Sequence, residues 1–210
     1  MLSRRLRLLC VLALAMIFAH AASARHKAGV MGAVVAKYGI TEKFYLNQYA
    51  EYCHDFTHNR SMSYSVFKPL GVGYTFTDWF TVDFGCYYFQ FIKGGMHRPE
   101  LSLIFTHKEG NFQFQFQKRF TMDKNIGVSY YDWYHRSHFT VSYDIPKSIF
   151  TPVATFEFYL KNGLKMGRFH GGTHISLSDK SQLSLQVFQI MSPGNKYQEY
   201  YLYAGYLFTL

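Results

Sequence analysis

This sequence predicts an all-β fold: an antiparallel, up-and-down transmembrane β-barrel of about ten to twelve strands. Three observations predict it. The chain opens on a secretory leader, continues as alternating segments joined by turn residues, and closes on an apolar alternating strand. A soluble strand runs to about five or six residues, whereas a tilted strand that crosses a bilayer needs about nine to eleven. The segments here are of the longer kind.

The leader comes first. Arg4, Arg5 and Arg7 form a basic start, and Leu8 to Phe18 is an apolar run that is too short to span as a helix. Ala22-Ser23-Ala24 supplies small residues for cleavage, so the expected division is a signal peptide over 1–24 and a barrel over 25–210. Cys10 lies inside the apolar run without the small residues of a lipid-attachment site before it. The chain has 22 Lys and Arg against 13 Asp and Glu, a net +9. Three of those arginines and no acid leave with the leader, which takes the charge to +6. In an exported chain that balance points to anionic lipid headgroups, not to nucleic acid. After the leader no apolar run is long enough for a spanning helix.

The strands follow in order, at about 29–38, 43–54, 61–76, 79–91, 97–107, 111–120, 130–144, 150–160, 166–177, 181–191 and 199–210. The alternation is clearest between Ser137 and Ser192. There Ala154, Phe156, Phe158 and Leu160 take one face, and Thr151, Thr155, Glu157 and Tyr159 take the other. Leu183, Leu185 and Val187 likewise oppose Gln182, Ser184 and Gln186. Gly39 to Glu42, Thr77-Asp78, Lys108 to Gly110, Pro146-Lys147 and Ser178 to Lys180 read as short turns. The alternate links, 55–60, 93–95, 121–129, 161–163 and 192–196, read as longer outer loops. The tally is eleven, although bacterial single-chain barrels have even strand numbers. Gly29, Gly32 and Ala33 make the first segment the weakest strand. Either it drops out, leaving ten, or a missed break makes twelve.

The last segment places Leu202, Ala204, Tyr206, Phe208 and Leu210 on one face. That is the kind of C-terminal strand by which barrel assembly machinery recognises its clients. Aromatics make up a fifth of the chain, as expected of a barrel with interfacial girdles. By alternation Cys53 falls on the polar face and Cys86 on the apolar face, so a disulfide between them is not expected.

Three segments carry a family resemblance: Leu70–Trp79 (LGVGYTFTDW), Trp133–Ile145 (WYHRSHFTVSYDI) and Phe150–Phe158 (FTPVATFEF). With Thr151-Pro152 and Glu157 as its most particular details, the chain resembles the outer-membrane barrel proteins grouped as domain of unknown function 2490. Ser137-His138 stands where that family commonly has a second arginine. The resemblance implies a bacterial outer-membrane location and a barrel fold, with outer-membrane lipids as its surroundings. It implies no activity and no cofactor.

The polar face is where function is sought. It offers a candidate lumen network of Glu51, Arg98, Glu100, Arg136, Glu157 and Arg168, with Tyr45, Asn47, Tyr49, Asp83, Tyr87, Arg119, His138 and His170 beside them. Arg136, Arg168 and Arg98 are expected to pair with Glu157, Glu100 and Glu51, because buried charge needs partners. Such a lumen is either a plug that holds the barrel rigid or a narrow passage for small polar or anionic solutes. A lipid-modifying hydrolase is the enzymatic alternative, with Ser137, His138, His170, His174 and Glu157 as its residues. Adjacent strand residues point to opposite faces, so Ser137 and His138 do not form a pair there, and no Gly-x-Ser-x-Gly elbow is present. His170 and His174 share a face but stand about 13 Å apart, too far for one metal ion. Adhesion through the loops His54–Arg60 and Thr121–Ser129 is a further reading. A soluble secreted binding barrel is the structural rival; it would turn its apolar face inward.

Overall fold

In the computed structural model the described residues are 27–56, 63–92, 94–161, 164–191 and 198–210. The predicted leader lies outside them. Among the described residues eleven strands close into one barrel: β1 (Lys27–Gly39), β2 (Phe44–Asp55), β3 (Tyr64–Thr77), β4 (Phe80–Phe91), β5 (Gly94–Glu109), β6 (Phe112–Asn125), β7 (Asp132–Tyr143), β8 (Phe150–Leu160), β9 (Leu164–Ser178), β10 (Ser181–Met191) and β11 (Gln198–Thr209). Each strand pairs with its sequence neighbours, all antiparallel. The closing pair, β1 with β11, is parallel. The odd tally is therefore resolved without losing or splitting a strand: a parallel seam closes an odd barrel.

The strands form where the alternation predicts them, and their ladders close on themselves, so the barrel leaves no strand at a free edge. The need to pair backbone groups without water is what restricts a hydrocarbon-facing chain to helices and closed barrels. Turn chemistry sits where the chain reverses. Lys147 and Gly110 adopt positive φ, and Ser148 N donates to Ile145 O at 3.0 Å. Turns β1–β2, β3–β4, β5–β6, β7–β8 and β9–β10 gather at one end, the turn end, and the remaining links gather at the other, the loop end. Two predicted loops are corrected: Gly94 and Gly95, read as part of the loop 93–95, open β5 and pair with Phe91 and Gln90. Residues 121–125 continue β6, so only the second half of the stretch Thr121–Ser129 is loop. Most of the other predicted adhesion loop, His54–Arg60, lies outside the described residues.

The apolar side chains face outward, opposite to a soluble barrel. Leu70, Phe84, Leu101, Phe114, Phe139, Phe156, Leu185 and Leu202 are all exposed on the outer wall. A phenylalanine ladder crosses six strands in register: Phe80, Phe105, Phe116, Phe139, Phe156 and Phe169. Ring centroids along it lie 5.0 Å (Phe80–Phe105), 6.2 Å (Phe105–Phe116), 4.7 Å (Phe116–Phe139) and 4.9 Å (Phe156–Phe169) apart. Cross-strand aromatic pairs of this kind fix register. Cys53 is buried inside and Cys86 faces out, both as free thiols.

The glycines that make β1 look weak serve the seam. Tyr201, 1% exposed, lies across Gly29 in the lumen. A Cβ on Gly29 would stand 2.4 Å from the His54 backbone oxygen and 2.5 Å from Tyr201 Cε1. Gly32 faces outward with its nearest neighbour, Ala204 O, at 3.9 Å. Gly29→Val is expected to lower stability by about 1–3 kcal/mol through overpacking, and Gly32→Val to be near neutral. Urea midpoints of the protein refolded into vesicles measure both. Equal midpoints for the two variants would mean that the seam is not packed in this way.

Candidate functional site in the lumen

The inward residues of β5 to β9 build a charged band. Register sets Arg119 opposite Arg136, His138 opposite Glu157, and Glu157 opposite Arg168. Two arginines face to face repel unless a carboxylate joins them. Glu100 does so, with Oε1 3.5 Å from Arg119 Nη1 and Oε2 3.4 Å from Arg136 Nη1. Arg136 also donates from Nε (2.8 Å) and Nη2 (2.5 Å) to Glu157 Oε1. The other oxygen of Glu157 is held loosely: Arg168 Nη1 lies at 3.6 Å and His170 Nε2 at 3.7 Å. His138 Nε2 stands 2.8 Å from Oε1, a close contact without hydrogen-bond alignment. Glu157 is 1% exposed, Glu100 4% and Arg136 8%. The guanidinium groups are further supported by aromatic faces. Arg136 and Arg168 lie 4.6 and 5.1 Å from the Tyr159 ring. Within the band three arginines surround two carboxylates. Arg119 Nε and Arg168 Nε have no hydrogen-bond partner among the described residues.

Two smaller clusters flank the band. Toward the loop end Arg98 grips Asp123 with both Nε (2.6 Å) and Nη2 (2.9 Å), and Tyr134 donates to the same carboxylate at 2.8 Å. Toward the turn end Asp83 accepts from Asn47 Nδ2 at 2.5 Å and Tyr45 at 3.2 Å, with Lys68 Nζ 3.5 Å away. A cavity of about 210 Å³ opens at the loop end, lined by Asp123, Asp132, Tyr134, Tyr159, Leu160 and Lys161. The opposite wall is apolar: Met31, Cys53, Phe188, Ile190 and Tyr201 pack together, with Tyr64, Met166 and Tyr203 against them.

Of the six predicted network residues, four meet: Glu100, Arg136, Glu157 and Arg168. Two pair elsewhere. Arg98 takes Asp123 because β6 runs past residue 120 and brings Asp123 to the same face. Glu51 accepts from Tyr49 and, at 2.9 Å, from Tyr64. Lys68 is an inward cation that alternation alone does not reveal. A bulge at Pro69-Leu70 shifts the register of β3, so the inward positions run Tyr64, Val66, Lys68 and then Gly71, Gly73. Gly71 and Gly85, paired across β3 and β4, leave the space through which the Lys68 side chain passes. Ser137 and His138 do point to opposite sides of the wall: Ser137 accepts from Lys118 outside, and His138 meets Glu157 inside. His174 contacts Ser184 at 2.7 Å. Among the described residues no group of three or more His, Cys, Asp and Glu is arranged to hold a metal ion.

No protein-family model matches the chain, and no curated protein matches it. Among solved structures it is similar to the NanC porin, with a TM-score of 0.52 and 13% identity over 87% of this chain and 99% of that one. At that identity the likeness concerns the fold, which is that of a porin-like barrel.

Proposed function

We propose that the protein is a narrow outer-membrane channel for small anionic solutes, constricted by the Arg119–Glu100–Arg136–Glu157–Arg168 band. The observation that carries this reading is the local excess of cations at the centre of a porin-like lumen. A solute anion can take over the loosely held donors of Arg119 and Arg168, while Arg136 keeps the wall latched. The outer-membrane location rests on the predicted leader and on the outward apolar wall. The outward residues of β11, from Leu202 to Phe208, are what assembly machinery would read. The tie to domain of unknown function 2490 rests on the three segments quoted above.

The test is single-channel recording of refolded protein in a planar bilayer under a salt gradient. The wild type is expected to give small steps with a reversal potential on the anion side. Arg119→Ala with Arg168→Ala should move that potential toward cations, and Glu157→Ala should change the step size. A second reading is a filled structural barrel, favoured by the burial of Glu157, Arg136 and Tyr201. Silence from both wild type and Glu157→Ala, in protein whose heat-modifiable gel mobility reports a folded barrel, would favour it and end the channel reading.

A further inference from the structure

The outward wall is mostly apolar and, at its middle, nearly free of charge. Among the described residues Lys118 on β6 is the one charged side chain that points outward from mid-strand, six residues beyond Phe112 and seven before Asn125. Its outward neighbours along the strand are Phe116 and Phe120. Across the strands it faces Leu103 on one side and Ser137 on the other. Its ammonium donates to Ser137 Oγ at 3.2 Å, and Ser137 is 8% exposed. One hydroxyl answers one of three N–H donors. A cation at this depth on a barrel's lipid face is unfavourable, so one that persists marks a function and calls for a partner.

The bases around it form a track. Toward the loop end His135 stands edge-on to Phe120 at 5.2 Å, and Lys124 lies 5.1 Å from the Tyr131 ring. His97 pairs in register with Lys124 and stands edge-on to Tyr88 at 4.7 Å. All four bases face outward on β5, β6 and β7. The outward positions described on β1, β3, β4, β8, β10 and β11 carry no basic side chain. The track thus runs from the loop-side interface down to Lys118. Phe116, Phe139 and Phe158 on either side of it are suited to acyl chains.

We propose that this track binds an anionic lipid of the loop-side leaflet through its phosphate, one whose headgroup carries no cation to neutralise that phosphate. Lys118, reaching toward that interface, and the Ser137 hydroxyl would hold the phosphate below its usual plane. Phosphate fits because it can accept from the ammonium, the hydroxyl and a neighbouring histidine together. The lipid face is the one surface from which such a donor set can be reached.

The chain has two tryptophans, and Trp133 is outward on the same strand as Ser137 and 62% exposed. In a Trp79→Phe background it is a built-in reporter. The protein is refolded into phosphatidylcholine vesicles that contain either brominated phosphatidylglycerol or brominated phosphatidylcholine, and Trp133 quenching is measured. The brominated anionic lipid is expected to be enriched roughly fivefold beside Trp133. Lys118→Met should bring the two lipids to near parity, and Lys118→Arg should retain the preference. Lys118→Gln replaces the Met variant if that one does not refold. Equal quenching by the two lipids, or a preference that survives loss of the Lys118 charge, overturns the proposal. A preference lost only with Lys124→Met also overturns it, because it places the lipid at the ordinary headgroup level. A carboxylate from a membrane-embedded protein partner as the true occupant would give the first of these results.

Discussion

Glu157→Ala is expected to cost the barrel about 3–5 kcal/mol, the loss typical of breaking a buried ion pair from one side. The carboxylate is 1% exposed and serves Arg136, His138, Arg168 and His170 at once. Without it Arg136 keeps only Glu100, at 3.4 Å, and Arg168 loses its ion pair on the neighbouring strand. The register makes this worse, because Arg119 and Arg136 then face each other with a single carboxylate between them and nothing beyond. Glu157→Gln keeps the volume and removes the charge, so comparing the two variants separates the electrostatic loss from the cavity. A double-mutant cycle adds direction. With Arg168→Ala already in place, Glu157→Ala should cost less, since one stranded cation is gone. Urea unfolding in vesicles, followed by tryptophan emission and gel mobility, supplies all four corners of the cycle. A loss below about 1 kcal/mol for both Glu157 variants would mean that the lumen is wet enough to solvate the stranded arginines, and the band would then be no latch.

Most of the fold was legible because a barrel is written in a two-residue period. Ala154, Phe156, Phe158 and Leu160 against Thr155, Glu157 and Tyr159 fix which side of β8 meets lipid, and the structure keeps that division. Sharing an inward face was enough to nominate Arg136, Glu157, Glu100 and Arg168. What the period does not carry is register, and register decides partners. Arg98 binds Asp123, one strand over, instead of a glutamate, because Asp123 comes into line only when β6 is given its full length. Lys68 was lost for a different reason. The bulge at Pro69-Leu70 puts two successive residues on the outer side, so any reading that keeps strict alternation through β3 assigns the rest of the strand to the wrong face. Pro69, which has no N–H to give the ladder, was the one signal that could have located the break. The phenylalanine ladder was legible as composition but not as a ladder, since its members come from six strands. The closing pair was the least legible of all. Nothing local to Lys27–Gly39 or Gln198–Thr209 states that these two strands run side by side in the same direction.

That seam leads to the second large effect. An epitope inserted just ahead of Lys27 and another added after Leu210 are expected to lie on opposite sides of the membrane. With an even number of antiparallel strands both would lie on the same side. Here β1 starts at the loop end and β11 finishes at the turn end, because eleven crossings separate them. The register leaves no ambiguity of direction: Gly29 stands beside Tyr201, Met31 beside Tyr203 and Ala33 beside Gly205, both strands advancing together. Antibody or protease access in intact cells reads the outcome as all or none. The epitope ahead of β1 should behave like one placed in the loop between β6 and β7. The epitope after Leu210 should behave like one placed at Asp179-Lys180. If the two end epitopes share a side, β1 does not run parallel to β11, and the lumen facing Met31, Cys53 and Tyr201 must be rebuilt. If they are separated, the barrel carries one pair whose slanted bonds hold slightly less per residue than those elsewhere. The small residues of that pair, Gly29, Gly32, Ala33, Ala204 and Gly205, also offer little side-chain contact outside the Tyr201 stack. The wall would then yield first at this seam, so the Gly29→Val loss should appear mainly as faster unfolding, with refolding into the bilayer little changed.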